Sequence, residues 1–218
     1  MDVPPPIVSA ILPLSSFDAM EAYERMVLRK KKGVWSDVTR AQRLGYSVGP
    51  FPWPRHLTDV VAINRSLPER QGRSMGSSYL MTVEEMGGED PDAELPSIAC
   101  PLHWRQTFGA FAPNGRLVAY CRLIRSDNLV MYTAWLGHGD HLAAGIMHLL
   151  HHGVMHYLLA RSVETQGLDG LMYAGWNDGL EGLKAWKARL GFAPRRTFDV
   201  CEVPVALPHS STVDTCRC

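Results

Sequence analysis

Apolar side chains recur at helical spacing in the first part of the chain. Residues 17–32 predict a helix, because apolar residues return there every three or four positions and serines precede them. A cationic run followed by Gly33 predicts where this helix ends. A shorter helix is predicted over residues 58–66, after a proline-rich stretch that breaks the chain. Residues 86–101, which are rich in glycine, proline and acidic residues, predict a linker.

The pattern changes after the linker to short runs that are typical of strands. Strands are predicted over residues 103–112, 116–124, 129–136, 170–176 and 198–205. Helices are predicted between the later strands, over residues 145–161 and 179–190. The predicted order begins with helices, continues with antiparallel strands and ends with a β-α-β-α unit. This order predicts an α+β or mixed α/β fold with one central sheet.

We expect a single domain over residues 1–218. In this interpretation residues 1–100 form an N-terminal helical part and the linker, residues 101–208 form the core sheet and helices, and residues 209–218 form a flexible tail. The apolar content of 46% suits one globular core, and the pattern indicates no second one.

The charge balance, the N-terminus and the cysteine content indicate which partners and which cellular compartment to expect. Lysine plus arginine and aspartate plus glutamate number 22 each, so no overall field attracts nucleic acid or an anionic membrane, and a polyanion must be bound by a local patch. The N-terminus lacks the features of a signal peptide, and no stretch reaches the roughly 20 apolar residues of a membrane span. Five scattered cysteines favour reduced thiols. We expect a cytoplasmic protein, and the sequence indicates no oligomeric state.

A glycine-rich loop between a predicted strand and a predicted helix carries the first candidate chemistry. Gly137 and Gly139 allow the backbone to turn sharply and to approach a ligand closely, although a plain connection has the same composition. His138 and His141 flank the loop, and a neutral imidazole there can accept a proton as a general base. Asp140 is predicted to orient that base or to cap the following helix.

The following helix is rich in histidine, and His148, His151, His152 and His156 share one predicted face. His148 and His152 stand four residues apart, which is a spacing used for metal ligands on helices. The glutamate of a His-Glu-x-x-His site is missing. We therefore expect no metal and interpret this face as solvated or covered by a partner, with a metal-dependent protein as the remaining alternative.

Arg70 and Arg73 stand in a stretch that contains glycine and proline. Each guanidinium offers a planar fork of donors that suits a carboxylate or a phosphate, so both are predicted to bind substrate. The alternative is that both are solvated surface charges.

The order of elements from residue 103 onward resembles the GNAT acyltransferase superfamily, and Gly191-Phe192 is similar to the Gly-Phe after the last helix of many such proteins. The resemblance implies a GNAT-like, mostly antiparallel central sheet flanked by helices. It also implies acyl-CoA as donor, bound at a glycine loop that includes Gly145. Leu142 and Met147 depart from the superfamily's donor-binding pattern, because leucine offers phosphate no hydrogen-bond donor and methionine crowds it.

The segment Gly182-Leu183-x-x-Trp186-Lys187 looks more like the Fem-type branch, whose members move an aminoacyl group from tRNA to an amine. This likeness implies aminoacyl-tRNA as the alternative donor and tRNA as a partner. It places Lys187 near the donor's anionic end, where the ammonium can stabilise developing negative charge. A surface lysine on an amphipathic helix is the other interpretation.

Together these features predict an N-acyltransferase that moves an acyl or aminoacyl group to a small-molecule amine, or to a hydroxyl. The donor carbonyl is expected over the loop from Gly137 to Gly145, with backbone N–H groups stabilising the oxyanion. The alternative is a catalytically inactive GNAT-like protein that binds a small anion or a protein partner.

Overall fold

The computed structural model describes residues 7–30 and 32–197. The five helices of these residues are α1 to α5, at Met20–Lys30, Lys32–Arg43, Leu57–Arg65, Ile146–Leu159 and Glu181–Arg189. Their strands, β1 to β9, run over Ile7–Pro13, Ser47–Pro50, Glu69–Arg70, Arg73–Ser74, His103–Phe111, Leu117–Ser126, Leu129–Gly137, Gly170–Gly175 and Ala193–Thr197. None of the helices in the described ranges has the length and apolarity that crossing a bilayer requires.

Seven strands form one sheet in the order β2-β5-β6-β7-β8-β1-β9, and β3 pairs with β4 in a separate hairpin. Within the described residues every strand pair is antiparallel except β7 with β8. The predicted mixed α/β fold with a mostly antiparallel central sheet is therefore confirmed.

Helices cover both faces of the sheet. The helix α4 packs against β5, β6 and β7, and α2 packs on the outside of α4. Four apolar side chains of α4 are fully buried in the main core, namely Ile146, Leu150, Val154 and Met155. The helix α3 covers the opposite face, where its side chains join a second apolar cluster with Tyr120. The sheet thus separates two regions in which a ligand can bind.

The first half of the chain differs from the prediction at one helix boundary and at the strands β1 to β4, none of which was predicted. The helix expected over residues 17–32 begins at Met20, and Gly33 lies in the first turn of α2 instead of ending a helix. The reason is tertiary, because Val38 and Ala41 of α2 bury themselves against α4. The strand β1 was not predicted, although Ala10 and Leu12 are fully buried between β8 and β9.

The described residues end in β9, at Thr197. The structure has β9 immediately after Phe192, whereas the strand predicted over residues 198–205 lies outside the described residues. The tail predicted over residues 209–218 lies outside them as well.

Candidate active site

The parallel strands β7 and β8 lie together at one end and part at the other. They pair from Leu129 with Gly170 to Met131 with Met172, and no later residue of either strand continues the ladder between them. An irregularity in the pairing of β6 with β7 places one extra residue, Thr133, in β7 just after this point. Such a bulge bends its strand and interrupts the ladder. The bend opens the sheet beyond Met131.

This opening holds a cavity of about 290 Å³, which we call the splay pocket. Its principal lining residues are Arg70, Trp135, Gly137, Met147, Tyr173 and Trp186. Three of them form an aromatic wall, with the Trp135 and Trp186 rings 5.6 Å apart and the Tyr173 and Trp186 rings 5.7 Å apart. Burial raises the pKa of Tyr173 to about 12, so its phenol is neutral at physiological pH. The wall therefore offers a ligand flat apolar surface with one hydroxyl.

Arg70 is the cation at this pocket. Its Nη1 donates to the Gly137 carbonyl over 2.9 Å, and its Nη2 donates to the Ile63 carbonyl over 2.8 Å. The Nε atom is buried and has no partner among the described residues. Burial lowers the pKa of Arg70, yet a guanidinium stays charged in a protein. The interpretation of Arg70 as a solvated charge is wrong, because its guanidinium is partly buried and donates to two backbone carbonyls.

Arg73 does not reach the splay pocket. It pairs across the hairpin with Arg70 and is exposed. The structure therefore separates the two arginines that the sequence grouped together.

Lys187 is fully buried, so its interpretation as a surface lysine is wrong. Its Nζ donates to the Gly175 carbonyl over 2.6 Å and lies 5.2 Å from the centre of the Tyr173 ring. Burial lowers the pKa of Lys187, while the nearby Asp178 carboxylate acts in the opposite direction. The ammonium thus holds the diverging end of β8 and supports the aromatic wall from behind. Its effect on a donor stays a prediction.

The glycines of the loop are closely packed. A Cβ at Gly137 would lie 2.5 Å from the Met147 sulfur, and one at Gly139 would lie 3.0 Å from Leu67. Gly145 has a φ of +89°, and a Cβ there would lie 2.5 Å from the Asp37 carbonyl oxygen. Of the three glycines only Gly137 lines the splay pocket. The donor-binding role of all three stays a prediction.

The N-terminal end of α4 also receives a negative charge from the protein itself. The Asp37 carboxylate lies 2.8 Å from Nδ1 of His148, in the first turn of α4. A carboxylate near the start of a helix compensates the positive end of the helix dipole. The Asp37 carboxylate therefore lies close to the N-terminal end of α4.

The loop histidines line a different cavity of about 230 Å³, which we call the loop cavity. His138, Asp140 and His141 contribute to it, together with Arg116. The His138 ring accepts a hydrogen bond from the Asp140 backbone and so caps the short 3₁₀ helix that follows. The Asp140 side chain is 90% exposed, and the N-cap residue of α4 is Gly145, which makes no side-chain hydrogen bond. The prediction that Asp140 caps this helix is therefore wrong. The structure does not bring these histidines together with Lys187.

His141 has the protonation state that a base requires. Its Nδ1 lies 2.7 Å from the Tyr46 hydroxyl. Burial lowers its pKa, and the neighbouring His138 lowers it further. A lowered pKa keeps the imidazole neutral at physiological pH.

Of the four helix histidines only His156 is exposed, so they do not form the continuous solvated face that was predicted. His151 is buried between two hydroxyls, with Tyr23 2.8 Å from Nε2 and Tyr132 3.0 Å from Nδ1. Burial lowers its pKa to about 3, so it is a neutral core residue. The face was misjudged because α1 and α2, which cover it, were not predicted to pack there.

A larger groove lies on the α3 side of the sheet and was not predicted. Two adjoining cavities of about 490 and 480 Å³ share Trp53, Arg122 and Thr133. Burial raises the pKa values of Tyr120 and Tyr173, and the nearby Tyr79 adds to the rise in both. Tyr79 lines this groove together with Tyr120. No periodicity or motif in the sequence marked these aromatic residues as neighbours.

No protein-family model matches the chain, and no curated protein matches it. Solved structures do match. FemX is 11% identical with a TM-score of 0.57, over 86% of this chain and 59% of that chain. The structure of L-PGS from Bacillus licheniformis is 14% identical with a TM-score of 0.54, over 87% of this chain and 58% of that one.

A third match is the C-terminal domain of a protein assigned as a lysylphosphatidylglycerol synthetase from Agrobacterium fabrum. It is 13% identical with a TM-score of 0.51, over 87% of this chain and 58% of that one. The chain thus spans less than two thirds of the length of each of these structures. At such low identity the likeness concerns the fold alone. The chain has the GNAT-like fold that its sequence predicted, and it shares this fold with FemX and L-PGS.

Proposed function

We propose that this protein transfers an acyl or aminoacyl group from an activated donor to an amine, with the donor carbonyl in the splay pocket. The observation that carries this proposal is the parting of β7 and β8 around an aromatic cavity that Arg70 borders. A concave, mostly apolar site with a few convergent polar groups is typical of a ligand pocket. Strands that part also leave backbone N–H groups without ladder partners, and such groups can bind a developing oxyanion.

The proposed reaction is nucleophilic substitution at a carbonyl. The acceptor nitrogen attacks the donor carbonyl carbon, so that a C–N bond forms and the C–O bond of an ester, or the C–S bond of a thioester, breaks. The amine loses one proton and the leaving oxygen or sulfur gains one. In this proposal the aromatic wall orients the acyl chain and Arg70 binds an anionic part of the donor.

We favour an aminoacyl ester over acyl-CoA as the donor. Met147 and Asp37 occupy the space and the charge position that a CoA pyrophosphate would need at the start of α4. The Fem-type likeness of residues 182–187 and the fold shared with FemX and a protein assigned as a lysylphosphatidylglycerol synthetase support the same choice. Aminoacyl-tRNA is then the proposed donor and tRNA the proposed partner, and acyl-CoA remains the alternative.

We propose that the acceptor binds in the groove at Trp53 and Arg122. A small-molecule amine is the proposed acceptor, and a hydroxyl is the alternative. His138 and His141 remain the proposed bases. They face the loop cavity, so their contribution has to be measured separately from that of the splay pocket.

The decisive experiment compares ligands by thermal shift and then by turnover. A ligand that binds the native state at about 100-fold over its Kd should raise the Tm of a chain of this size by roughly 5–10 °C. We expect this rise with a non-hydrolysable aminoacyl-adenosine that mimics the tRNA terminus, and not with free CoA or acetyl-CoA. Radiolabelled aminoacyl-tRNA should then transfer its label to an amine. A shift without transfer to any amine or hydroxyl would favour the inactive binding protein, and a shift with CoA alone would reverse the choice of donor.

A further inference from the structure

A cluster of metal-ligating side chains lies where α1 meets α4, away from both the splay pocket and the loop cavity. It consists of Glu24 on α1 and His152 and His156 on α4. The Glu24 carboxylate lies 2.9 Å from Nε2 of His152, and the two imidazole rings have centroids 4.8 Å apart. One ligand atom from each residue lies within 4.8 Å of those of the other two. Residues far apart in sequence thus direct three donor atoms at one point.

The donor set suits zinc. Zinc takes imidazole nitrogen at about 2.0–2.1 Å and carboxylate oxygen at about 2.0–2.2 Å, so neighbouring ligand atoms in a tetrahedral site lie roughly 3.4 Å apart. The Glu24–His152 separation of 2.9 Å is shorter than that value, none of the three exceeds 4.8 Å, and His156 is exposed and free to adjust its side chain. Three protein ligands leave the fourth position for water.

Neighbouring side chains hold His152 in place between Glu24 and His156. The His152 side chain is 12% exposed, and the Trp35 ring packs against its edge with centroids 5.3 Å apart. Val27 and Val34 line the same small cleft. His148, which the sequence paired with His152 as a metal ligand, is engaged by Asp37 instead. The fold therefore replaces the pair seen in the sequence with His152, His156 and a carboxylate from another helix.

We propose that Glu24, His152 and His156 form a zinc site that joins α1 to α4. This departs from the expectation that the chain holds no metal. Because α4 follows directly on the loop of Gly137 to Gly145, a bound zinc would stabilise the packing behind the pocket. The proposal does not depend on the proposed transfer reaction, since its ligands belong to neither cavity.

The test uses the full chain without a histidine tag, stripped with a chelator and dialysed. Zinc binding is measured by titration calorimetry and by the Tm with and without zinc. Cobalt is the second probe, because its visible bands report tetrahedral coordination. We expect one equivalent to bind and the Tm to rise by roughly 5–10 °C at 100-fold over the Kd.

The variants remove ligands without touching the core. His156→Ala and Glu24→Gln should each weaken zinc binding at least tenfold, and Glu24→His, which supplies another ligand, should recover it. Glu21→Gln is the matched control, because Glu21 is an exposed glutamate one turn earlier on α1. Unchanged zinc affinity in His156→Ala and Glu24→Gln would place any bound metal elsewhere and overturn the proposal. Absence of binding to the unaltered chain would reduce the Glu24–His152 contact to an ordinary ion pair and overturn it too.

Discussion

The splay pocket and the loop cavity adjoin consecutive residues, Gly137 and His138, yet they differ in chemistry. Aromatic rings and a half-buried guanidinium line the splay pocket, whereas imidazoles, a carboxylate and the exposed Arg116 line the loop cavity. An apolar wall removes water from a ligand and strengthens the few polar contacts that it makes. Titratable groups that cluster in the sequence therefore need not lie in the cavity whose shape best suits a ligand.

The largest effect on this comparison is expected from Arg70→Ala. Arg70 is proposed to bind an anionic part of the donor, and loss of one partner of such a charged contact costs about 2–5 kcal/mol, or about 30- to 3000-fold in kcat/KM. The variant also leaves the Gly137 and Ile63 carbonyls without this donor, which should lower the free energy of unfolding by about 1–3 kcal/mol. Steady-state kinetics and urea unfolding measure the two effects.

The matched control for that variant is Arg73→Ala, because Arg73 is the exposed cross-strand neighbour of Arg70. It should change both the turnover and the unfolding energy little. Equal losses of activity in both variants would show that overall charge matters, and not the splay pocket.

Lys187→Met should have the next largest effect. The change keeps the aliphatic stem but leaves the Gly175 carbonyl without its ammonium, so β8 is held less firmly behind Tyr173. We expect turnover to fall about tenfold and the unfolding energy to drop by about 1–3 kcal/mol, which is the usual cost of a buried group left unpaired. Lys184→Met, one turn earlier on α5, is the control. If Lys187→Met keeps full activity and stability, Lys187 does not position the pocket.

A smaller loss is expected from His138→Ala and His141→Ala, made one at a time. Both side chains face the loop cavity, so each should lower turnover by about tenfold or less, below the full range of a general base. Melting curves should show that both variants remain folded. Wild-type rates in both would remove the base assignment. A loss larger than that of Arg70→Ala would reverse the ranking of the two cavities.

The smallest effect is a shift in pH dependence. A base acts in its neutral form, and because burial lowers the pKa of His141, the acid limb of kcat/KM should have its midpoint below the usual histidine value of about 6.5. His138→Ala removes a neighbouring charge that lowers this pKa, so the midpoint should move upward, toward 6.5. If the midpoint is the same in His138→Ala as in the unaltered protein, a group other than His141 sets the acid limb.

The later strands and helices were predictable because each carries its own pattern. The helix expected over residues 145–161 appears as Ile146–Leu159, and the strand expected over residues 129–136 appears as Leu129–Gly137. Periodicity and turn residues are local signals, and here the fold agrees with them. The strand β1 was missed because it pairs with β8 and β9, which lie far along the chain.

The candidate site was less predictable than the fold. The sequence identified Arg70 and Gly137 separately, but not that a hydrogen bond joins them across 67 positions. It gave no sign that Trp135 and Tyr173 border one cavity. Residues that face each other across two diverging strands have no characteristic separation in the sequence. It also missed that α1 and α2 cover the histidines of α4.

The order of most helices and strands, the single central sheet and the set of ionisable residues are readable in the amino-acid sequence. These follow from local hydrophobic period, turn chemistry and composition. The packed fold, in contrast, sets which of those residues share a cavity, which histidine is buried between tyrosines and where β7 leaves β8. Burial and strand divergence depend on contacts between distant segments, and such contacts exist only once the chain has packed.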